Sequence, residues 1–328
     1  MRTKLYMIAL AAISMMLGSC SDSNSDFSQD YLADTPIKLN VSVDEPTTRA
    51  GYSDADKPTG FALSVVNSNN DTYDYQVWAE GEDNNWKTYN ITKYIISNKK
   101  EEVTMLWANM KDKVTITALL DAYWSSKINT PTNQTTLDAL KKADFLAMPV
   151  TEVAPSQSGI NVELKHTMSK INLTIELGDE YEFTADVNQK ITDVKIDGSK
   201  VKAYYEIHSS TDKPQFSFNS YSGDPTPITP YHTGTTPYSK TDGVITKASA
   251  TYEAILIPQT IESGKFTVSF KVDGKLYEWA YNKDLTLAPT TAYTLKLTAG
   301  DDKVQPVSFS VAPWGVGNGE NGEKKETD

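Results

Sequence analysis

The sequence predicts an all-β protein in which two antiparallel β-sandwich domains follow one another, with few short helices. Short runs that alternate apolar and polar residues recur along the 328 residues, and this period of two is typical of half-buried strands. Asp-Gly pairs separate some of these runs, as they do in tight hairpins. Many short strands with so few helices favour β-sandwiches over helical bundles or parallel α/β folds.

The N-terminal segment has the pattern of a lipoprotein signal peptide. Two basic residues precede an apolar stretch over 5–17, and the small residues Gly18 and Ser19 then lead directly to Cys20. The apolar stretch is shorter than the roughly 20 residues that span a membrane, and its flanks are those of a cleaved signal. We therefore expect a signal peptide over 1–19 and a mature chain held to membrane lipid through acylated Cys20. An ordinary signal peptide with a chance cysteine is the alternative.

Segment 20–49 is predicted to be a tether and propeptide that contains one strand. It begins with a polar stretch rich in Ser, Asp and Asn. Apolar residues at every second position then predict a half-buried strand over 37–43. These residues are Ile37, Leu39, Val41 and Val43.

Residues 50–168 are predicted to form the N-terminal sandwich. One helix is expected over 137–142, with Thr135 as its N-cap and Asp138 three residues later, as in a capping box. The alternating runs that predict strands cover 61–66, 75–78, 114–118 and 161–166.

Residues 169–302 are predicted to form the C-terminal sandwich. Asp197-Gly198 and Asp273-Gly274 lie between successive runs and predict two-residue hairpin turns, because both turn positions need a positive φ. A long loop is expected over 221–243, since its prolines cannot donate to a sheet ladder. The runs that predict strands cover 170–177, 194–196, 201–207, 266–272 and 275–279.

Residues 303–328 are predicted to contain a last strand and a tail. Val307, Phe309 and Val311 alternate with serines, which is the pattern of a half-buried strand. From Gly315 onward the chain is rich in glycine and charge, and this composition favours disorder.

The composition excludes several classes of function. A net charge of −12 repels phosphate backbones, and no basic cluster offsets it, so nucleic-acid binding is not expected. Cys20 is the single cysteine and occupies the lipid-attachment position, which leaves no intramolecular disulfide and no cysteine nucleophile. The aromatic residues can supply much of the buried area that stabilises the fold.

No catalytic, cofactor or metal site is predicted, and the chain is not expected to be an enzyme. The three histidines lack the spacing of metal ligands, and His166, at the end of a strand, is expected to be structural. Asp54 and Asp56 could bind calcium weakly, although an ordinary loop is the more frequent setting for such a pair. Four tryptophans are candidates for sugar stacking or, more commonly, for core packing: Trp78, Trp86, Trp107 and Trp124.

Several motifs, in order along the chain, resemble those of the fimbrillin-like family, the subunits of protease-assembled (type V) pili of Gram-negative anaerobes. The chain departs from the family pattern at Ala288-Pro289, where a Pro-Gly turn is usual. The motifs that carry the resemblance are the lipid-attachment sequence at Cys20, the strand at 37–43, Thr48-Arg49-Ala50, Asp144-Phe145-Leu146-Ala147, the His-x-x-Ser-Lys pattern within 162–170, Leu256-Ile257-Pro258-Gln259, the tyrosine-centred strand at 288–297, and Pro313-Trp314.

The resemblance implies a fold, a maturation pathway and a set of partners. It implies two transthyretin-like, Greek-key β-sandwiches and export as an outer-membrane lipoprotein. It also implies cleavage between Arg49 and Ala50 by an arginine-specific protease. Loss of the strand at 37–43 would then open a groove for a strand from another pilus subunit, and Val307, Phe309 and Val311 form the candidate donor strand.

Two hypotheses of different classes follow. The first is a stalk or tip subunit of a cell-surface pilus, serving adhesion, in which Arg49 is cut because it lies in a polar segment of the kind that proteases reach. The second is a permanently lipid-anchored lipoprotein that binds a host protein or a glycan, in which Arg49 is an ordinary surface residue.

Overall fold

The structure is a computed structural model that describes residues 31–44, 51–82, 85–120, 126–178, 181, 187–208, 216–241, 244–300, 303–314 and 323–324. These residues belong to one compact unit, Tyr31–Asp328. Strands dominate, helices are few and short, and the strands form several sheets, which confirms the predicted all-β class. In the described part of the chain, no helix is long and apolar enough to cross a membrane.

Within the described ranges, eight strands precede residue 167. They are β1 (Leu39–Val43), β2 (Gly60–Val66), β3 (Tyr75–Glu82), β4 (Asn85–Asn90), β5 (Val114–Leu119), β6 (Lys127–Asn129), β7 (Leu146–Val153) and β8 (Ile160–His166).

The remaining strands follow residue 168. They are β9 (Ser169–Leu177), β10 (Ile191–Asp197), β11 (Lys202–Ile207), β12 (Phe216–Ser222), β13 (Tyr231–Thr236), β14 (Ser239–Thr241), β15 (Val244–Thr246), β16 (Ser249–Leu256), β17 (Thr260–Ile261), β18 (Thr267–Val272), β19 (Lys275–Ala280), β20 (Leu285–Thr286), β21 (Thr291–Gly300), β22 (Lys303–Pro313) and β23 (Glu323–Lys324).

The early strands form a seven-stranded sheet in the order β1-β8-β7-β5-β2-β3-β4. β7 and β8 share only two paired positions, Leu146 with His166 and Ala147 with Lys165. β1 and β8 nevertheless share one hydrophobic core with β2, β3 and β5, so the sheet packs against itself in two layers. The division into domains at residues 168 and 169 stays a prediction.

The later strands form a sandwich of two sheets over a second core. One sheet has the order β13-β16-β9-β21-β22-β23, and the other has the order β10-β18-β19. Side chains from both sheets, such as Leu173 and Leu295 on one and Phe270 on the other, belong to the same buried cluster. Two pairings are parallel, β1 with β8 and β9 with β21, which departs from the purely antiparallel expectation.

A further three-stranded sheet joins residues from before and after position 168, because β6 pairs with β11, which also pairs with β12. Gln134 adds a second link. Its side-chain amide is fully buried; its Nε2 donates to the Ile255 carbonyl oxygen at 2.8 Å, and its Oε1 accepts from the Ile255 N–H at 2.9 Å. A buried amide that satisfies both backbone groups of one residue fixes this connection.

The helices are short, and the predicted one begins at Leu137 as expected, ends one residue later, and has a different N-cap. α2 spans Leu137–Ala143 and is capped by Thr136, whose hydroxyl oxygen accepts from the Ala139 N–H at 3.2 Å. Thr135 is not the cap, because its hydroxyl donates to Asn133 Oδ1. The other helices are α1 (Ile91–Ser97), α3 (Val187–Lys190) and a 3-10 turn at Asp71–Tyr73.

Two predictions from turn residues are wrong and one is confirmed. Asp273 and Gly274 both have positive φ and close the β18–β19 hairpin. Asp197-Gly198 does not close a hairpin, since β10 pairs with β18 and β11 pairs with β12 and β6. The predicted loop over 221–243 contains β13 and β14. Its prolines at 230 and 237 flank β13 rather than interrupt it, and β13 is an edge strand, where proline is tolerated.

Gly159 holds the turn that brings β8 alongside β1, and its substitution tests that contact. Its φ is +88°, and a Cβ there would lie 2.3 Å from the Lys38 carbonyl oxygen, which accepts the Ile160 N–H at 2.8 Å. The control is Gly274, with φ of +83° and no atom of the described residues within 4 Å of a Cβ. We expect Gly274→Ala to lower the free energy of unfolding by about 1–2 kcal/mol and Gly159→Ala by a further 1–3 kcal/mol or so, measured by urea denaturation. Equal losses would contradict the steric argument.

Candidate functional site

β1 lies at the edge of the seven-stranded sheet and covers apolar surface. It pairs in parallel with β8, from Leu39 opposite Ile160 to Val43 opposite Leu164. The side chains of Leu39, Val41 and Val43 are buried, and each contributes roughly 1.5–3 kcal/mol by leaving water. Removal of β1 would therefore expose both a backbone edge and an apolar groove.

Ile37 precedes β1 and is attached by a different partner. Its N–H donates to the Met105 carbonyl oxygen at 2.9 Å, and its side chain is buried. The side chains at the four predicted apolar positions of this segment thus belong to one hydrophobic core. Ile37 is part of this core although it lies outside the β1–β8 ladder.

β22 is held mainly by its backbone. It pairs antiparallel with β21 over most of its length, with a register shift next to Leu297, and it also pairs with β23. Of the described residues from 303 to 314, only Phe309 and Trp314 are buried. Val307 is 54% exposed, and Val311 is half-buried, so the alternating apolar pattern does not correspond to an alternating buried face in this chain.

A buried polar cluster lies where the seven-stranded sheet ends along the chain and the six-stranded sheet begins. Its centre is the His166 imidazole, which is 1% exposed. We call the following residues the His166 cluster: Asp44, Asp144, His166, Lys170 and Trp314.

The carboxylates of the His166 cluster come from two distant elements. Asp144 follows α2, is fully buried, and lies with its Oδ1 2.9 Å from His166 Nδ1. Asp44 follows β1; its Oδ1 accepts from the His166 backbone N–H at 3.0 Å and lies 3.9 Å from His166 Nε2. Among the described residues, Nε2 has no hydrogen-bond partner, so Asp144 is the group that orients the ring.

Trp314 and Lys170 complete the cluster. The Trp314 indole stacks on the His166 ring, with centroids 4.6 Å apart and planes inclined by 11°. Lys170 Nζ lies 5.9 Å from the centre of the Trp314 ring and 3.0 Å from Glu253 Oε2. A buried ammonium is stable only beside such a carboxylate, because removing it from water is costly.

The cluster also holds the segment that follows residue 50. Tyr52 N–H donates to Asp144 Oδ2 at 3.0 Å. Gly51 has a φ of +104°, and a Cβ there would lie 2.7 Å from the same oxygen. Glycine is therefore required for the chain to pass this closely over the carboxylate.

The environment shifts the pKa of three members of the cluster. Burial opposes the charged imidazolium, but the charge and hydrogen bond of Asp144 and the charge of Asp44 outweigh it, so the His166 pKa lies above its ordinary value. Burial raises the pKa of Asp44 despite the opposing charge of His166. Burial lowers the pKa of Lys170, although Glu253 opposes this shift.

The remaining candidate residues are dispersed. Cys20, Arg49, Ala50 and Trp124 lie outside the described residues. Asp54 pairs with Lys57 and Asp56 with Lys141, and in the described ranges no group of His, Cys, Asp or Glu side chains has an arrangement that could hold a metal ion.

The tryptophan candidates for sugar stacking have core or packing contacts. Trp107 is buried. Trp78 stacks on Tyr94 with centroids 5.1 Å apart, and Trp86 packs against Phe61 at the same centroid distance.

Sequence reasoning missed most of the His166 cluster. The motif at 162–170 contains both His166 and Lys170, but it does not show that Asp44 and Asp144 are their neighbours. Lys170 occupies a polar position of the alternating run 170–177, so its burial beside a carboxylate is not visible in that pattern.

The profile of the fimbrillin-like family matches residues 48–314. Because this match spans most of the chain, the protein belongs to the fimbrillin-like family. A comparison with curated proteins gave no match.

The solved structures that match this chain include proteins from Bacteroides and Porphyromonas. A candidate cell adhesion protein from Bacteroides ovatus is 14% identical, with a TM-score of 0.54, and the match covers 87% of this chain and 100% of that one. For the tip fimbrial protein Mfa3 from Porphyromonas gingivalis the identity is 12%, the TM-score 0.42 and the coverage 85% and 100%. For the fimbrial anchor protein Mfa2 from the same organism these values are 11%, 0.35, and 85% and 98%. The first likeness shows a shared fold.

The raised pKa of His166 predicts a pH-dependent stability. Its folded-state pKa exceeds the ordinary value of 6.5, so the stabilisation is complete below about pH 6.5 and is lost as pH rises through the folded-state pKa. We expect His166→Gln to lower the free energy of unfolding by about 3–5 kcal/mol near pH 6, because it leaves Asp144 buried without its cation.

Urea denaturation at several pH values between 6 and 9 measures this effect. The difference between the wild type and His166→Gln should shrink with rising pH, whereas His208→Gln, outside the cluster, should keep the wild-type pH dependence. A constant difference would show that the charge on His166 does not contribute.

Proposed function

We propose that the protein is a non-enzymatic structural subunit, stalk or tip, of a cell-surface pilus that serves adhesion. It is exported as a lipoprotein through Cys20, cut after Arg49, and assembled with other pilus subunits by strand exchange. The observation that carries this proposal is an apolar edge strand, β1, placed shortly before Arg49 in a chain of the fimbrillin-like family.

The position of arginine in the sequence supports a single processing site. The 328 residues contain two arginines, Arg2 and Arg49, and Arg2 lies within the expected signal peptide. An arginine-specific protease therefore has one site in the exported chain. A protease that also cut after lysine would have many sites, because the other basic residues of the chain are lysines. The family match begins at residue 48, next to this site, and leaves β1 outside.

The contacts of β1 support its release as a unit. It is bound on one side by the β8 ladder, and its apolar side chains enter a core that β2 and β5 also line. After cleavage, only non-covalent contacts would retain it. Its loss would leave Ile160, Val162 and Leu164 facing an open groove, the kind of edge that recruits a strand from another chain.

The contacts of β22 support its role as the donor strand. Val307, Phe309 and Val311 have the same spacing as Leu39, Val41 and Val43, so they can fill the same groove at alternate positions. In the intact chain only Phe309 of these three is buried, so the transfer of β22 would bury more apolar area in the acceptor than it exposes in the donor.

The proposed location is the outer membrane for the precursor, through the Cys20 lipid, and the cell surface for the mature subunit. A host protein or glycan is a further proposed partner of the assembled pilus. The competing proposal, a permanently anchored binding lipoprotein, differs in one observable respect, since it keeps residues 20–49.

Processing at Arg49 is tested in the native bacterium. We expect sheared surface fibres to contain protein that starts at Ala50 and lacks lipid, and Arg49→Lys, which keeps the charge, to reduce this species at least about tenfold. N-terminal sequencing and lipid analysis of sheared and membrane fractions measure it. Acylated Cys20 on an intact, surface-exposed protein, in the wild type as in the variant, would favour the anchored lipoprotein.

Strand exchange is tested with a synthetic peptide of residues 303–314. We expect it to bind protein that has been cut at Arg49 and freed of residues 20–49, and not the intact protein, because β1 fills the groove. A Phe309→Asp peptide should bind at least about tenfold more weakly, since its carboxylate would be buried among apolar side chains. Fluorescence anisotropy measures both affinities, and equal binding to cut and intact protein would contradict the proposal.

A further inference from the structure

We propose that the His166 cluster couples β1 to β22, so that loss of Asp44 from its place beside His166 loosens the C-terminal strand. Asp44 directly follows β1, and Trp314 directly follows β22. Both contact the same buried imidazole, although they are far apart in sequence. The coupling is a property of the intact chain, and only its use in assembly rests on the proposed function.

On the side of β1, Asp44 extends the β1–β8 ladder into the cluster. Its N–H donates to the Leu164 carbonyl oxygen at 2.9 Å, and its carboxylate accepts the His166 N–H at 3.0 Å. If β1 and Asp44 leave, the His166 backbone N–H loses its acceptor. The His166 imidazole also loses one of its two neighbouring carboxylates. A buried N–H without an acceptor is unstable, so the His166 segment must rearrange.

On the side of β22, Trp314 is one of the two buried side chains among the described residues from 303 to 314. Its N–H donates to the Thr290 carbonyl oxygen at 2.6 Å, next to the start of β21. Its indole lies flat on the His166 ring. Because most side chains of β22 are exposed, the packing of Trp314 fixes the end of the strand. Trp314 also belongs to a buried cluster with Leu140, Met168 and Ile255, and movement of the imidazole would remove the ring that covers one face of its indole.

The other groups around the imidazole keep the two effects linked. Asp144 holds the ring through Nδ1 and is itself tied to the Tyr52 N–H, while the Lys170 ammonium is paired with Glu253 near the Trp314 ring. These groups come from α2, the segment at residue 52, β9 and β16. The imidazole is therefore packed from several directions and cannot adjust to the loss of Asp44 without disturbing its neighbours.

Hydrogen exchange on the intact full-length chain tests the coupling. We expect Asp44→Ala to speed amide exchange across β22 about tenfold or more, the scale of one lost charge-assisted hydrogen bond. Asp44→Asn keeps an acceptor oxygen and removes the charge, so it should give a smaller increase in a protein that folds. Exchange in β4, at the opposite edge of the seven-stranded sheet from β1, should remain at the wild-type rate, because β4 supplies no residue to the His166 cluster.

The matched control is Asp54→Asn. Asp54 Oδ1 accepts from the Val43 N–H at 3.4 Å, so it touches the same end of β1, but it pairs with Lys57 rather than with His166. This variant should leave β22 unchanged. Faster exchange in β1 without faster exchange in β22 in both Asp44 variants would overturn the proposal.

Coupling must also act in the opposite direction, because a coupling free energy is shared by both sites. Trp314→Leu should therefore speed exchange in β1 by a similar factor, while Trp314→Phe, which keeps an aromatic ring on the imidazole, should have a smaller effect. In Trp314→Leu, adding Asp44→Ala should have little further effect on β22. Independent, additive effects of the two substitutions would also overturn the proposal.

Discussion

The contact between the His166 imidazole and the Asp144 carboxylate constrains the part of the chain where the two large sheets meet. A charged pair that is removed from water must be closely matched, because neither group has water to replace a missing partner. This requirement fixes α2 through Asp144, the end of β8 through His166, and the passage of Gly51 over the carboxylate. The chain segments that converge at this pair therefore cannot change conformation independently of one another.

The two terminal strands are attached in contrasting ways. β1 buries its apolar side chains and has a ladder on one side, so the hydrophobic effect dominates its attachment. β22 has a long ladder and few buried side chains, so main-chain hydrogen bonds dominate. Hydrogen bonds to water replace lost main-chain bonds at modest net cost, and detachment of β22 would expose less apolar area than detachment of β1, because Phe309 is the one buried side chain of β22.

The sequence predicted the strands whose one face is buried, since alternation records burial directly: β5, β8 and β9 lie within a residue or two of their expected positions. It failed where pairing depends on distant partners. Asp197-Gly198 has the residues of a hairpin, but β10 packs against β18, so tertiary pairing overrides the local turn signal. β13 was missed because its sequence, rich in threonine and bounded by prolines, lacks apolar alternation.

The residues of the candidate site likewise fall into two groups, those that a local sequence pattern predicts and those that only the fold brings together. The edge strand and the histidine motif were visible as local patterns, whereas Asp44 and Asp144 are ordinary acidic residues until the fold places them beside His166. Val307 shows the converse, because an apolar residue in an alternating run is exposed in the folded chain. The partners of a residue depend on topology, which a local pattern does not contain.

The parallel pairing of β9 with β21 has a consequence for how the chain reaches its folded state. Paired residues such as Asn172 and Thr294 are 122 positions apart, and the other neighbour of β9, β16, is also distant in sequence. Such long-range ladders form slowly, because the loop must be closed before any contact stabilises it. During synthesis the apolar residues of β9 therefore remain without a partner strand until β16 has emerged. That delay leaves an apolar strand unpaired on the growing chain, a state in which association with other chains competes with folding.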